Sequence, residues 1–120
     1  MVTAYGDALR RLWSGRCSVY IRKTRVNEAT GRDEPYEVPL FQDEPCRVSF
    51  RSIATTTETN DAARIQQTTK LFVAADLDIP AGSKINVTQA GKTKSYTRSG
   101  EPAYYSTHQE IMLAPFERWA

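Results

Sequence analysis

The sequence predicts a mostly-β protein, a small antiparallel β-barrel or sandwich of about six to seven strands. Apolar and polar residues alternate with a period of two in several short segments, as half-buried strands do. Turn residues separate these segments, and no long helical pattern lies between them, which argues against a parallel α/β sheet. A chain of 120 residues is the usual length of one domain, so we expect a single domain over residues 1–120.

Residues 1–15 depart from the period of two. Their apolar side chains recur at helical spacing and are Val2, Tyr5, Leu9 and Leu12. Gly15 is a residue that commonly follows the end of a helix. The sequence therefore predicts a short N-terminal helix over residues 1–15, followed by a β body over residues 16–120.

The β body begins with two segments that we expect to form a hairpin. Residues 16–23 have an apolar face made of Cys17, Val19 and Ile21. A polar turn over residues 27–33 contains Gly31, which tolerates positive φ, and alternation resumes over residues 36–41 with Tyr36, Val38 and Leu40. Pro39 has no N–H to donate to a ladder, so this second strand is expected at an edge.

The remaining strands are predicted over residues 46–51, 68–74, 84–89, 92–98 and 108–115. Ala90-Gly91 is typical of a tight hairpin turn. The side chains expected to face the core are Cys46, Val48, Phe50, Leu71, Val73, Ile85, Val87, Tyr96, Ile111 and Leu113.

A polar segment over residues 52–64 interrupts these strands, and we interpret it as a long exposed loop. Long loops without structure of their own are uncommon in compact domains and often carry function. The residues that we single out for a channel or an inter-subunit contact are Ser52, Thr55, Thr56, Thr57, Glu58, Thr59 and Asn60.

No set of residues in the sequence forms a recognisable catalytic or metal-binding pattern, so we expect no enzyme activity and no cofactor. His108 is the one histidine, whereas a metal site needs three or four converging ligands. Cys17 and Cys46 lie on the apolar faces of their strands, which favours buried free thiols over a nucleophile or a disulfide.

The charge balance argues against a protein whose main task is to bind nucleic acid. Sixteen basic and fourteen acidic residues give a net charge of +2, without the basic excess that such proteins usually have. A nucleic-acid-binding β-barrel remains an alternative, with a platform made of Tyr20, Tyr96, Arg22, Lys94 and Arg98. No run of about 18 apolar residues is present, so we expect no membrane contact.

Aromatic residues and arginines near the chain ends are candidates for a partner interface, because these residue types anchor protein interfaces. The candidates are Arg10, Arg11, Trp13, Phe116, Arg118 and Trp119. Alternatively, both tryptophans cap the domain's own core.

Three segments carry a resemblance to a known family: residues 69–74 (TKLFVA), 78–87 (DIPAGSKINV) and 99–111 (SGEPAYYSTHQEI). Together they resemble minor capsid proteins of siphophages and Gram-positive prophages, and the resemblance extends over roughly residues 17–119. The pattern of a strand, Asp-Ile-x-x-Gly-x-x-Ile and a hairpin also recurs in head–tail joining proteins. Pro80 and Gly82 suit the bend in this pattern.

This resemblance implies a head-closure (stopper) protein of the virion, made in the cytoplasm of the bacterial host. Such proteins form a homo-oligomeric ring below the portal and adaptor proteins, close the head after DNA packaging and provide a platform for the tail, including its terminator protein. By its position, the segment 52–64 would project into the channel and contact the packaged DNA. Another station in the same junction, adaptor or tail terminator, is the alternative.

Overall fold

A computed structural model describes residues 8, 11–55 and 64–119, with side chains described for residues 8, 11–51 and 68–119. Seven strands make up this part of the chain. They are β1 (Gly15–Val26), β2 (Asp33–Thr55), β3 (Arg64–Val73), β4 (Lys84–Gln89), β5 (Lys92–Arg98), β6 (Ala103–Tyr104) and β7 (Gln109–Pro115).

All the strand pairings in the described part of the chain are antiparallel and belong to one sheet. The pairings run from β1 through β4, β5, β7, β3 and β2 back to β1, so six strands form a closed ring. The short β6 pairs with β7. The prediction of a mostly-β antiparallel fold is confirmed, and the described strands do not divide into the two sheets that a sandwich would have.

The interior of the ring is filled by the side chains that the period of two assigns to it. On the strands that follow the first hairpin, ten side chains were predicted to face the core, and nine of them are buried in the core cluster. These are Cys46, Val48, Leu71, Val73, Ile85, Val87, Tyr96, Ile111 and Leu113. Cys17 and Cys46 are both buried and free, as predicted.

Phe50 is the exception, since its side chain is 49% exposed. It lies on the same face of β2 as Cys46 and Val48, but at a position where β2 has already extended past β1, whose first residue, Gly15, pairs with Cys46. The alternation therefore identified the correct face, whereas burial also requires a neighbouring strand to cover it.

The predicted N-terminal helix over residues 1–15 lies mostly outside the described residues. Ala8, Arg11 and Leu12 have helical backbone, but the described part of the chain includes no complete helix. Gly15 is the first residue of β1, and a Cβ at this position would lie 2.8 Å from the carbonyl oxygen of Cys46. Close packing against β2 thus explains this glycine better than the predicted role at a helix end.

β2 is a single strand of 23 residues, although the sequence predicted two separate strands. Its register against β1 shifts between Cys17 and Val19 and again between Val19 and Tyr20, as β-bulges cause. The first shift places Asp43 at a φ of 55°, and its backbone N–H donates to Ser18 Oγ at 3.2 Å. These irregularities explain why the periodic pattern breaks in mid-strand.

The second shift changes which side chain of β2 reaches the core. The sequence predicted Leu40 on the inner face, but Leu40 is 39% exposed and Phe41 packs against the core cluster instead. One extra residue in a bulge moves every following side chain to the opposite face, so a strict period of two assigns this position incorrectly.

The predicted loop over residues 52–64 is shorter than expected. β2 and β3 pair as far as Thr55 and Arg64, so residues 52–55 and residue 64 are strand, while residues 56–63, including Thr56, Thr57, Glu58, Thr59 and Asn60, lie outside the described residues. The segment has no apolar alternation, and backbone pairing requires none, which is why the pattern did not indicate strands.

The two predicted turns next to β4 are confirmed. Before β4, Ser83 Oγ donates to the carbonyl oxygen of Pro80 at 2.6 Å, and Gly82 has a φ of 81°. After β4, Ala90 and Gly91 have φ values of 54° and 75°, which identify a two-residue type I′ turn.

Candidate functional site

Two hairpins extend beyond the closed ring. β4 pairs with β1 only over residues 16–20, so residues 21–26 of β1 and 33–38 of β2 continue as a two-stranded hairpin, called here the β1–β2 hairpin. β7 pairs with β3 only over residues 69–73. Residues 51–55 and 64–68 therefore form a second ribbon, the β2–β3 hairpin.

These hairpins leave the ring from opposite ends of β2 and give the molecule an extended shape. Its radius of gyration is 17.5 Å, whereas a compact domain of this length has a value of about 14 Å. The principal extents are 58 × 47 × 27 Å. Two-stranded ribbons are marginally stable in water by themselves, so both hairpins are surfaces that association with a partner would stabilise.

The edge of β2 offers backbone groups to such a partner. Among the described strands, residues 33–46 of β2 pair only with β1, which confirms the prediction that Pro39 lies in an edge strand. Pro39 and the nearby bulges interrupt this edge, as natural edge strands often do to limit unspecific pairing.

The C-terminal candidates for an interface are brought together by the structure. The rings of Phe116 and Trp119 meet edge to face with centroids 5.1 Å apart, and Lys84 Nζ lies 5.4 Å from the centroid of Phe116. Trp119 lines two surface hollows of about 480 and 360 Å³, and Arg22 lines both of them. Arg118 is exposed and lines the smaller hollow.

The described residues do not unite the interface candidates near the N-terminus, Arg10, Arg11 and Trp13, in a common surface with Phe116 and Trp119. Trp13 is 7% exposed, so the alternative interpretation, in which it belongs to the interior, applies to this tryptophan. Arg11 is exposed, and Arg10 lies outside the described residues.

A third hollow, which the sequence analysis missed, lies where the β2–β3 hairpin leaves the ring. Its volume is about 250 Å³. It is lined by Val48, Phe50, Val87, Gln89, Ala90, Lys92, Lys94 and Tyr96. The sequence alternation in β2, β4 and β5 predicted that four of these side chains face inward, namely Val48, Phe50, Val87 and Tyr96. It could not predict that they line an open hollow, because that depends on β1 beginning only at Gly15.

His108 lies in an aromatic cluster beside β6 and β7. Its ring stacks on Tyr105 with centroids 5.0 Å apart and lies 5.7 Å from the ring of Phe72. Tyr104 and Tyr105 are 64% and 51% exposed. The cluster fixes the orientation of the histidine, which agrees with the structural role expected for it.

Both nitrogens of His108 also have polar partners. Nδ1 lies 2.9 Å from Thr107 Oγ1, and Nε2 lies 2.9 Å from Glu110, which forms an ion pair with Lys70 at 3.0 Å. Burial raises the pKa of Glu110, but the hydrogen bonds from His108 and Lys70 outweigh it and lower the pKa below its usual value. The two-residue spacing of His108 and Glu110 puts both on one face of a strand, a signal that could have predicted this pair.

The structure also gives the surroundings of the acidic residues, the histidine and the cysteines considered for chemistry. The described residues include no cluster of three or more His, Cys, Asp or Glu side chains that could hold a metal ion. A hydrogen bond with Cys46 and burial raise the pKa of the Cys17 thiol far above its ordinary value, which disfavours the nucleophilic thiolate. No described helix is long and apolar enough to cross a membrane.

Two of the five residues suggested for a nucleic-acid-binding surface, Tyr96 and Arg98, do not have free side chains. Tyr96 is 7% exposed, so its ring is not free to stack on a base. Arg98 donates to the carbonyl oxygens of Ile79, at 2.8 Å, and Gly100, at 3.0 Å. Both residues serve the fold rather than an open groove.

Comparisons with known proteins place this fold next to a phage-related protein. No family model matches the sequence, and no curated protein matches it. The fold is similar to that of the phage-like element PBSX protein xkdH from Bacillus subtilis. The two chains are 16% identical, the match covers 83% of this chain and 91% of that one, and the TM-score is 0.50.

The likeness to xkdH extends over most of both chains, so the shared feature is the overall fold rather than one motif. At 16% identity, it does not assign a function to individual residues. The DIPAGS segment is explained by the fold itself, since Ile79 and Ile85 are 1% and 0% exposed on either side of the turn that Pro80 begins.

Proposed function

We propose that this chain is a structural protein of a bacteriophage or prophage particle, located at the junction of head and tail. The observation that carries the proposal is the likeness in fold to a protein of a phage-like element, which covers most of both chains. The resemblance of residues 69–111 to phage minor capsid proteins supports it independently.

Within this proposal the chain forms a homo-oligomeric ring below the portal and adaptor, closes the filled head and receives the tail terminator. The closed ring of strands is the rigid body of each subunit, and the two hairpins are its contacts with other chains. Their departure from opposite ends of β2 suits a subunit that has neighbours on more than one side. No catalytic step is assigned to the chain.

The β2–β3 hairpin is the element proposed to line the channel and contact the packaged DNA. It contains the described residues of the predicted polar segment, including Ser52 and Thr55, and it extends past the part of β3 that β7 covers. None of the described strands covers the outer edges of this ribbon, and exposed strand edges commonly recognise other chains by backbone pairing.

The test is a phage or inducible prophage that lacks this chain. We expect DNA-containing heads without tails, or heads that have lost their DNA, together with separate complete tails in electron micrographs. Tailless heads accompanied by incomplete or overlong tails would instead point to the tail terminator, the alternative station. Normal infectious particles would refute a role in the junction.

The proposed role of the β2–β3 hairpin in the channel is tested by supplying a chain with a shortened hairpin to the phage that lacks this protein. Replacing residues 54–65 by Asn-Gly closes the hairpin with a two-residue turn at the existing pair of Ile53 and Gln66. We expect a folded chain with unchanged circular dichroism that does not restore infectious particles. The matched control, Thr55→Ser, keeps the full length and should restore them, whereas full activity of the shortened chain would exclude the channel role.

A further inference from the structure

The hollow beside the β2–β3 hairpin has an apolar interior and a positive rim. Val48, Phe50 and Val87 contribute to its walls, and Phe50 is 49% exposed. Lys92 and Lys94 line it as well and are exposed. No ion pair joins either lysine to a described carboxylate, so their charges are available to a partner.

The charge of the surrounding chain is also one-sided. Residues 79–100 contain four basic and no acidic residues. Lys84 forms an ion pair with Glu37 at 3.5 Å and Arg98 donates to backbone carbonyl oxygens, so Lys92 and Lys94 are the cations of this stretch that line the hollow. An occupant that fits this hollow is therefore an apolar side chain flanked by carboxylates, since it satisfies both the walls and the rim.

The tip of the β1–β2 hairpin presents an apolar side chain flanked by carboxylates. Val26 is 61% exposed at the end of β1, and Asp33 lies directly opposite it on β2. Glu28 is exposed in the intervening turn, and the described part of the chain has no ion pair to either carboxylate. Arg32 is the one basic residue of the turn, so the tip has a net negative charge.

The other charges near the tip are engaged within the hairpin. The Arg25 guanidinium lies 5.0 Å from the centroid of the Tyr36 ring, and Glu34 accepts a hydrogen bond from Asn27 Nδ2. Glu28 and Asp33 are therefore the carboxylates that the tip presents to another molecule.

The tip and the hollow lie at opposite ends of β1, so one chain cannot join them. Gly15 is level with the hollow, because a Cβ at Gly15 would lie 3.1 Å from Gln89 Oε1. Val26 is eleven residues further along the same strand, a distance of about 36 Å at the usual rise per residue. A contact between these surfaces therefore joins two copies head to tail, the arrangement that generates rings.

We propose that the β1–β2 hairpin of one copy inserts Val26 into this hollow of the next copy, with Glu28 and Asp33 facing Lys92 and Lys94. The inference rests on the proposed ring and names the surfaces that hold neighbouring subunits together. It concerns the body of the ring rather than the channel hairpin, so the two can be tested separately.

Charge exchange between two variants tests this contact. Lys92→Glu with Lys94→Glu reverses the rim, and Glu28→Lys with Asp33→Lys reverses the tip. Sedimentation velocity should show concentration-dependent association of the wild-type chain at or below about 1 mM and at least roughly tenfold weaker association of each variant alone. An equimolar mixture of the two variants should recover association, because one variant then has two acidic surfaces and the other has two basic surfaces, so each contact between the two variants joins opposite charges.

The matched control reverses two exposed arginines that lie outside both hairpins, Arg16→Glu with Arg47→Glu, and should associate as the wild type does. The inference is overturned if the mixture stays monomeric, if the variants associate normally, or if the wild-type chain is monomeric up to about 1 mM. Weakening by the rim variant alone would indicate another occupant, such as the Trp119 tail of a second copy, and also overturns it. None of these results depends on particle assembly, so the proposed function can survive them.

Discussion

Replacing Gln89 by alanine should destabilise the fold much more than its position at the end of β4 suggests. The Gln89 side chain accepts a hydrogen bond from the backbone N–H of Val48 at 2.8 Å and donates one to the carbonyl oxygen of Val48 at 3.1 Å. β1 begins at Gly15, opposite Cys46, so none of the described strands pairs with Val48 on this side. The amide of Gln89 takes the place of the missing strand and joins β4 to β2.

The magnitude follows from the two backbone groups that lose their partner. Each buried polar group left without a hydrogen bond costs about 1–3 kcal/mol. Gln89 is partly exposed, so water can reach part of the site, and the total should be about 2–3 kcal/mol rather than the upper limit. For a domain of this size, that loss corresponds to a decrease in Tm of roughly 10 °C.

Thermal and urea denaturation followed by circular dichroism measure this loss, with Gln42→Ala as the matched control, since Gln42 is exposed on β2. Gln89→Glu adds a second readout. Its protonated carboxyl can both accept from and donate to Val48, so we expect a raised folded pKa. The stability of this variant relative to the wild type should then be highest below the unfolded pKa and decline as the pH rises through the folded pKa. A Tm for Gln89→Ala within about 2 °C of the control, less than 1 kcal/mol, would refute the reasoning.

Three further predictions concern other contacts of the fold. Gly15→Ala should destabilise by about 1–3 kcal/mol in urea titrations, because the new Cβ would lie 2.8 Å from the Cys46 carbonyl oxygen. Ala90→Asn should raise stability by about 0.5–1 kcal/mol, since asparagine tolerates the positive φ of this turn better than alanine; a lower Tm would contradict this. The lowered pKa of Glu110 means that its ion pair with Lys70 stabilises the fold above the unfolded pKa of about 4.3 and is lost as the pH falls through the folded value. Glu110→Gln should accordingly be less stable than the wild type at pH 7 but nearly equal at pH 2–3 in urea titrations.

The strand pattern could be predicted from the sequence wherever a strand has one covered face. Residues around Ile85, Val87 and Tyr96 alternate in register with the ring, and the Ala90-Gly91 turn between them has the expected type. These are local signals, and each agrees with the position that the fold imposes.

The sequence could not predict features that depend on which strands become neighbours. The exposure of Phe50 follows from the end of β1, and the exposure of Leu40 follows from a bulge whose partner lies on another strand. The same limit applies to the hollow and to the contact of Gln89 with Val48, which is 41 residues away in the chain. For the candidate surfaces, residue type indicated Phe116 and Trp119, but only the packing of the strands separates them from the buried Trp13.

The continuity of β2 has a mechanical consequence. A single polypeptide strand joins the tip of one hairpin to the base of the other, so tension applied between the two hairpins is carried by covalent bonds. The hydrogen bonds to β1 and β3 lie across that direction and must be sheared together rather than opened one at a time. Lengthening the subunit along this direction therefore requires β2 to slide past β1 and β3, and the bulge at Asp43 is the place where the strand changes direction.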